Sequence, residues 1–242
     1  MSPPRPPRRS RASKPVAVTR AALLFPLALL AACQNSATAA SAETTVDAPV
    51  AIAAAHEPTG AKQAIFAGGC FWGVEAVFSH VKGVTSAVNG YHGGNSGTAM
   101  YDMVSTGGTG HAEAVRVTYD PAVVRYDQLL RIFFSVVIDP TERDRQGPDV
   151  GPQYRSALVP MNEEQRRVAA AYLTQLAASG LWHQKIATRI EPYRTFYAAE
   201  KYHQDFMARH PTHPYIAYWD APKVAALQRQ FPTLYKPDFT RN

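Results

Sequence analysis

Cysteine is almost absent from this chain: there are two in 242 residues, Cys33 and Cys70. A disulfide framework is therefore excluded, and so is a Cys-x-x-Cys redox pair, because position 73 is Gly. Acidic residues are missing from the first 20 positions, which carry Arg5, Arg8, Arg9, Arg11, Lys14 and Arg20. These six account for the whole formal net charge of +6; the rest of the chain holds 19 cations and 19 anions and is neutral, with no basic stripe interleaved with aromatics that would argue for nucleic acid. Long apolar runs are lacking too. The run "AALLFPLALLAA" (21–32) falls short of the ~20 residues that a membrane span needs.

A basic start followed by a short apolar run that ends in small residues has the form of an export signal. Its last residues, "LAAC" (30–33), resemble a bacterial lipobox, in which Cys33 is lipidated and becomes the first residue of the mature protein. The alternative is a conventional signal cut among the alanines of "ATAASAE". The expectation is a membrane-anchored lipoprotein of the cell envelope, facing the periplasm. Residues 34–61, rich in Ala, Thr, Ser and Pro without a periodic apolar face, read as a flexible tether. A domain over 62–220 and a tail over 221–242 complete the expected organisation.

From residue 62 the punctuation is regular. Residues 62–67 predict a strand, and "FWGVEAVFSHV" (71–81) a helix with apolar positions three and four apart. "VTSAVNGYHGG" predicts a strand and a glycine-rich loop, "HAEAVRVTYD" a half-buried strand, and 126–137 a helix. A polar loop, "IDPTERDRQGPDVGPQ", leads into the strand "YRSALVP". A helix over 162–178 follows, capped by Asn162, then the strand "KIATRIEP" (185–192) and shorter helical runs, with "KVAALQRQF" among them. This order contains a β-α-β-β-α-β series. The predicted class is α+β, a ferredoxin-like split β-α-β plait with long functional loops and extra C-terminal helices.

Cys70 stands behind two glycines and at the start of a helix. Unpaired N–H groups and the positive end of the helix dipole favour thiolate there, so the expectation is a lowered pKa and a reactive nucleophile. A cysteine phosphatase would need an arginine shortly afterwards, where Ala76 and Val77 stand. Phe71 and Trp72 place aromatic surface beside the sulfur, suited to a small apolar group such as a methyl on sulfur.

Three segments, "GGCFWGVE" (68–75), "GTGHAEAVRVTYDP" (108–121) and "DRQGPDVGPQYRSAL" (144–158), resemble the signature segments of the A-type peptide-methionine sulfoxide reductases, in the same order. The resemblance implies reduction of the S epimer of methionine sulfoxide, in oxidised proteins and as the free amino acid, through a cysteine sulfenic acid. Residue by residue it implies Cys70 as nucleophile, Glu113 as the acid that protonates the sulfoxide oxygen, and Phe71 and Trp72 as the methyl pocket. Tyr101, Asp149 and Tyr154 match residues that bind that oxygen or organise the site. The chain departs from the family pattern at Ile138 and Asp144 and has no second cysteine in the domain that could resolve the sulfenic acid. An external thiol, thioredoxin-like or glutaredoxin-like, is therefore implied as reductant, with no bound cofactor and a monomeric enzyme. Cys33 is an alternative resolving thiol only if it is not lipidated.

Other readings remain at this point. One is a noncatalytic envelope module in which Cys70 is merely buried, and another is a cysteine hydrolase pairing Cys70 with His111. His203, His210 and His213, with Asp205, match no closed zinc spacing, so no metal is expected.

Overall fold

The computed structural model describes residues 45–242. The export segment, Cys33 and the first part of the expected tether lie outside the described residues. The elements in chain order are β1 (Lys62–Gly68), α1 (Phe71–Ser79), β2 (Val84–His92), α2 (Tyr101–Val104), β3 (Ala112–Tyr119), α3 (Tyr126–Ile132), β4 (Arg145–Gln146), β5 (Asp149–Val150), β6 (Ser156–Val159), α4 (Glu163–Ala178), β7 (Arg189–Ile190), β8 (Phe196–Ala198), α5 (Phe206–Arg209) and α6 (Ala221–Gln230).

Six strands form one sheet in the order β7-β6-β1-β3-β2-β8, and β4 and β5 make a separate two-stranded hairpin. Within the sheet β1 runs antiparallel to both β3 and β6, and β3 antiparallel to β2. That is the predicted split plait, with β3 inserted between β1 and β2. β8 and β7 extend its two edges. Of the strand predicted over 185–192 only Arg189–Ile190 pairs. β8 and the hairpin are too short to leave a periodic signature.

Alternation along β1 and β3 divides the core. Ala64, Phe66, Val115, Val117 and Tyr119 face the helices, whereas Ile65, Ala67, Ala112 and Ala114 face the opposite layer. Helix α1 is apolar nearly all round, and every residue except Trp72 is buried. Helix α3 runs on through a wide turn over Phe133–Val137, together matching the apolar run at 126–137. The Asn162 side chain accepts the Gln165 amide at 2.8 Å and starts α4 as predicted.

Two expected boundaries are corrected. From residue 45 the supposed tether is a strap packed on the domain. Ala48 and Ala55 are buried, the Ala48 amide donates to Ser135 Oγ at 3.1 Å, and the Ala55 amide donates to Asp127 Oδ1 at 2.9 Å. Small alanines allow the backbone to lie close to α3 and α4, so a composition that reads as linker serves as packing. The expected tail over 221–242 is not loose either. It begins with α6, and Asn242 donates from its side chain to Ala87 O at 2.6 Å and from its amide to Asp205 Oδ1 at 3.2 Å.

Candidate active site

β1 ends in Gly68 and Gly69, and Cys70 then forms the N-cap of α1. Gly69 has φ +82, and a Cβ there would lie 2.6 Å from Gln146 Cβ. Only glycine makes this turn without strain and lets the loop carrying Gln146 close over it. The turn leaves Cys70 partly exposed with a free thiol.

Glu113 is the second residue of β3. The two-residue repeat puts it on the same face as Val115 and Val117, under α1, where it is 2% exposed. Its Oε2 accepts the Phe71 amide at 3.0 Å. Burial pushes its carboxyl up to about 8; the Phe71 N–H opposes the shift and the charge of Asp149 adds to it. A carboxylic acid that holds its proton at neutral pH thus lies at the start of the helix carrying Cys70.

Cys70, Phe71, Trp72, Tyr101, Glu113, Asp149, Tyr154 and Tyr215 line one cavity of about 150 Å³. The structure therefore brings together the seven domain residues that the resemblance assigned to the site, Cys70, Phe71, Trp72, Tyr101, Glu113, Asp149 and Tyr154. Trp72 stacks face to face on Phe206 at 3.7 Å and donates its indole N–H to His203 Nδ1 at 3.2 Å. Phe71 is fully buried against Tyr91 and His203. Burial and the Glu113 carboxyl both raise the Tyr101 and Tyr154 phenols, which remain hydrogen-bond donors.

Two expectations fail here. The Cys70 thiol is pushed well above its ordinary pKa, first by burial and then by the neighbouring acids Glu113, Asp220 and Asp149, and the Trp72 amide only partly offsets them. The helix start favours thiolate, but burial in an acidic pocket outweighs it. His203, weighed above only as a metal ligand, is 2% exposed and backs Trp72 and Tyr101. His111 does not line the cavity. Its ring nitrogens meet the Gly94 amide at 3.2 Å and Asn95 O at 2.9 Å, which removes the basis for a Cys70–His111 pair.

Sequence reasoning missed Tyr215. It arrives from the Pro- and His-rich segment before α6, and its hydroxyl donates to Asp149 Oδ2. No local pattern marks it, since its partner is 66 positions away. Among the described residues no group of three or more His, Cys, Asp or Glu side chains is placed to hold a metal ion.

The sequence profile of the family described as "Peptide methionine sulfoxide reductase" matches residues 62–234, most of the chain and all of this cavity. The chain belongs to the peptide methionine sulfoxide reductase family. It is 54% identical over 176 residues to peptide methionine sulfoxide reductase MsrA 2 of Mesorhizobium japonicum, covering 73% of this chain and 90% of that one. To a peptide methionine sulfoxide reductase MsrA of Thermus thermophilus it is 50% identical over 174 residues, covering 72% and 97%. Among solved structures, methionine sulfoxide reductase A of Corynebacterium diphtheriae matches with TM-score 0.55 and 34% identity, covering 65% of this chain and 78% of that one. Reduced Mxr1 of Saccharomyces cerevisiae matches with TM-score 0.53 and 32% identity, covering 65% and 90%. In this member of the reductase family the hairpin of β4 and β5 delivers Asp149 to the cavity. Asp144, at the head of that hairpin, adopts φ 51, a left-handed conformation that Asp and Asn tolerate better than most residues.

Proposed function

We propose that Cys70 is the nucleophile and Glu113 the proton donor of a reaction in which this oxidoreductase reduces the S epimer of methionine sulfoxide to methionine. The observation that carries the assignment is the protonated, buried Glu113 hydrogen-bonded to the first amide of the helix that begins at Cys70. A sulfoxide oxygen leaves sulfur only when it is protonated, so a neutral carboxylic acid at this place is what the chemistry requires.

Phe71 and Trp72 hold the S-methyl group, while Tyr101 and Tyr154 donate to the sulfoxide oxygen. Asp149, fixed by Tyr215, organises the same corner. Glu113 passes its proton to the oxygen as the sulfur of Cys70 attacks, and the carboxylate left behind takes the thiol proton. The Cys70 sulfur loses two electrons and becomes a sulfenic acid; the substrate sulfur gains them and leaves as the thioether. Because Cys70 is the free cysteine of the described residues, the sulfenic acid is reduced by an external thiol. A first thiol displaces water to give a mixed disulfide and a second releases Cys70. A thioredoxin-like or glutaredoxin-like protein is the proposed source.

The decisive assay supplies each epimer of a blocked methionine sulfoxide with dithiothreitol. Reduction of the S epimer, lost in Cys70→Ser, supports the assignment; failure to reduce it, or activity surviving in Cys70→Ser, overturns it.

We further propose that the enzyme is an exported monomer repairing oxidised proteins in the cell envelope, anchored by lipid on Cys33. The basic, short-apolar start and the "LAAC" ending support this. The mass of the mature protein decides: diacylglycerol on Cys33 supports the anchor, and a Cys33–Cys70 disulfide after peroxide treatment excludes it.

A further inference from the structure

The cavity at Cys70, about 150 Å³, has room for the end of one side chain. The polypeptide bearing that side chain must therefore lie on the outer surface. A separate cleft of about 370 Å³ is lined by Arg143, Lys185 and Arg189 together with Thr141 and Thr188. No carboxylate lines it. None of the three cations has an ion pair among the described residues. The nearest acids make their close bonds to other cations: Arg155 holds Glu191 through two bonds of 2.8 and 3.1 Å, with Arg189 acting on Glu191 only at longer range, and Glu142 lies 3.2 Å from Arg145.

Strand pairing relates Arg189 of this cleft to the strand that leads into Cys70. Arg189 pairs with Ala157 of β6, and the neighbouring Ser156 pairs with Gly68 of β1, two residues before Cys70. Ser156 Oγ and Thr188 Oγ1 lie 2.8 Å apart, and Pro140 O accepts the amides of Ala187 and Thr188, which seals the cleft's inner wall. Arg189 is thus two strands across from β1, about 10 Å laterally at ~4.8 Å per strand, and level with Ala67, three residues short of Cys70. With that offset included, an extended peptide spans the gap in about three to four residues at ~3.3 Å each.

We propose that this cleft is a substrate-selecting surface, receiving an acidic residue about three positions from the methionine sulfoxide in the oxidised polypeptide. The proposal rests on the sulfoxide reductase reading of Cys70. Its chemistry is ionic recognition at a partly exposed surface, so it raises kcat/KM by a modest factor and is weakened by salt.

The test compares blocked peptides with a central methionine sulfoxide and Asp, Asn or Lys three positions to either side, with dithiothreitol as reductant. At low ionic strength the best Asp peptide is expected to exceed Asn by about fivefold, with Lys below Asn, and half-molar salt should bring the ratio close to one. In Arg143→Glu/Lys185→Glu/Arg189→Glu the order should reverse while blocked methionine sulfoxide, which has no neighbours, is turned over as before. Arg143→Gln/Lys185→Gln gives a second arm and should bring the Asp-to-Asn ratio within twofold. No Asp preference in the wild type, or the wild-type ratio retained in the Gln variant, overturns the proposal. Wild-type failure on the blocked single residue would overturn the reductase reading instead.

Discussion

The Phe71 amide donates to Glu113 Oε2 at 3.0 Å, so one carboxyl both caps helix α1 and lines the same cavity as Cys70, one residue earlier. Cys70 itself makes no side-chain cap bond. The orphan N–H at the helix start is therefore satisfied by the proposed proton donor, which ties Glu113 to the turn that carries Cys70.

Glu113→Gln keeps an acceptor for Phe71 but has no proton to give. It should slow sulfoxide reduction by about 10²- to 10³-fold, measured with blocked substrate, without slowing Cys70 alkylation by iodoacetamide. The pH dependence follows. The acid form of Glu113 is lost as pH rises through about 8, so kcat/KM in the wild type falls on that limb. The limb should be absent in the variant, and a wild-type rate still rising above pH 9 would contradict the role of Glu113.

Glu200 holds Tyr101 in place. Its Oε1 accepts the Tyr101 amide at 2.9 Å and its Oε2 accepts the Tyr91 hydroxyl at 2.8 Å. Glu200→Ala should lower kcat about tenfold, and Glu200→Gln should recover most of it. In a Tyr101→Phe background the same Ala substitution should cost less than about twofold, because the positioned hydroxyl is already gone. Equal losses in both backgrounds would point to a general structural role.

The strap over 45–61 should contribute to stability. Its buried bonds to Ser135 and Asp127, with the Tyr172 hydroxyl on Pro49 O at 2.7 Å, imply a loss of about 3 kcal/mol on removal, at roughly 1 kcal/mol each. Thermal melting of a chain starting at residue 62 checks this, and an unchanged Tm would restore the tether.

Glu75 lies fully buried on α1, with its Oε1 accepting the Asp205 amide at 2.9 Å. Burial pushes its carboxyl up to about 8, with the Asp205 amide opposing and the Asp205 charge adding. The folded state therefore binds a proton that the unfolded chain releases near its ordinary pKa of about 4.3. Its contribution is complete below that value and is lost as pH rises towards 8. Chemical denaturation between pH 5 and 9 should show Glu75→Gln gaining on the wild type as pH increases; a constant difference would contradict the shift.

Much of the fold was readable along the chain, because periodicity and caps are local. The run at 71–81, the Asn162 cap and the strand order defined the plait before any contact was known. Cys70 and its glycines were equally readable, since a helix-start thiol after a tight turn is a feature of adjacent residues. The role of Glu113 was not: alternation says that it and Val115 share a face, but not which face carries the helices.

The sequence by itself determined where a reactive cysteine stands, that no second cysteine of the domain can resolve it, and which segments resemble a known reductase. Tertiary structure alone decided that Glu113 is buried and keeps its proton, that Cys70 is raised in pKa where a helix start would lower it, and that Tyr215 closes the cavity. It also decided that alanine-rich residues 45–61 pack as a strap and that three cations share a cleft whose Arg189 lies two strands from β1. The reason is physical: desolvation and charge coupling depend on neighbours brought together from distant positions, and such neighbours leave no periodic trace in the chain.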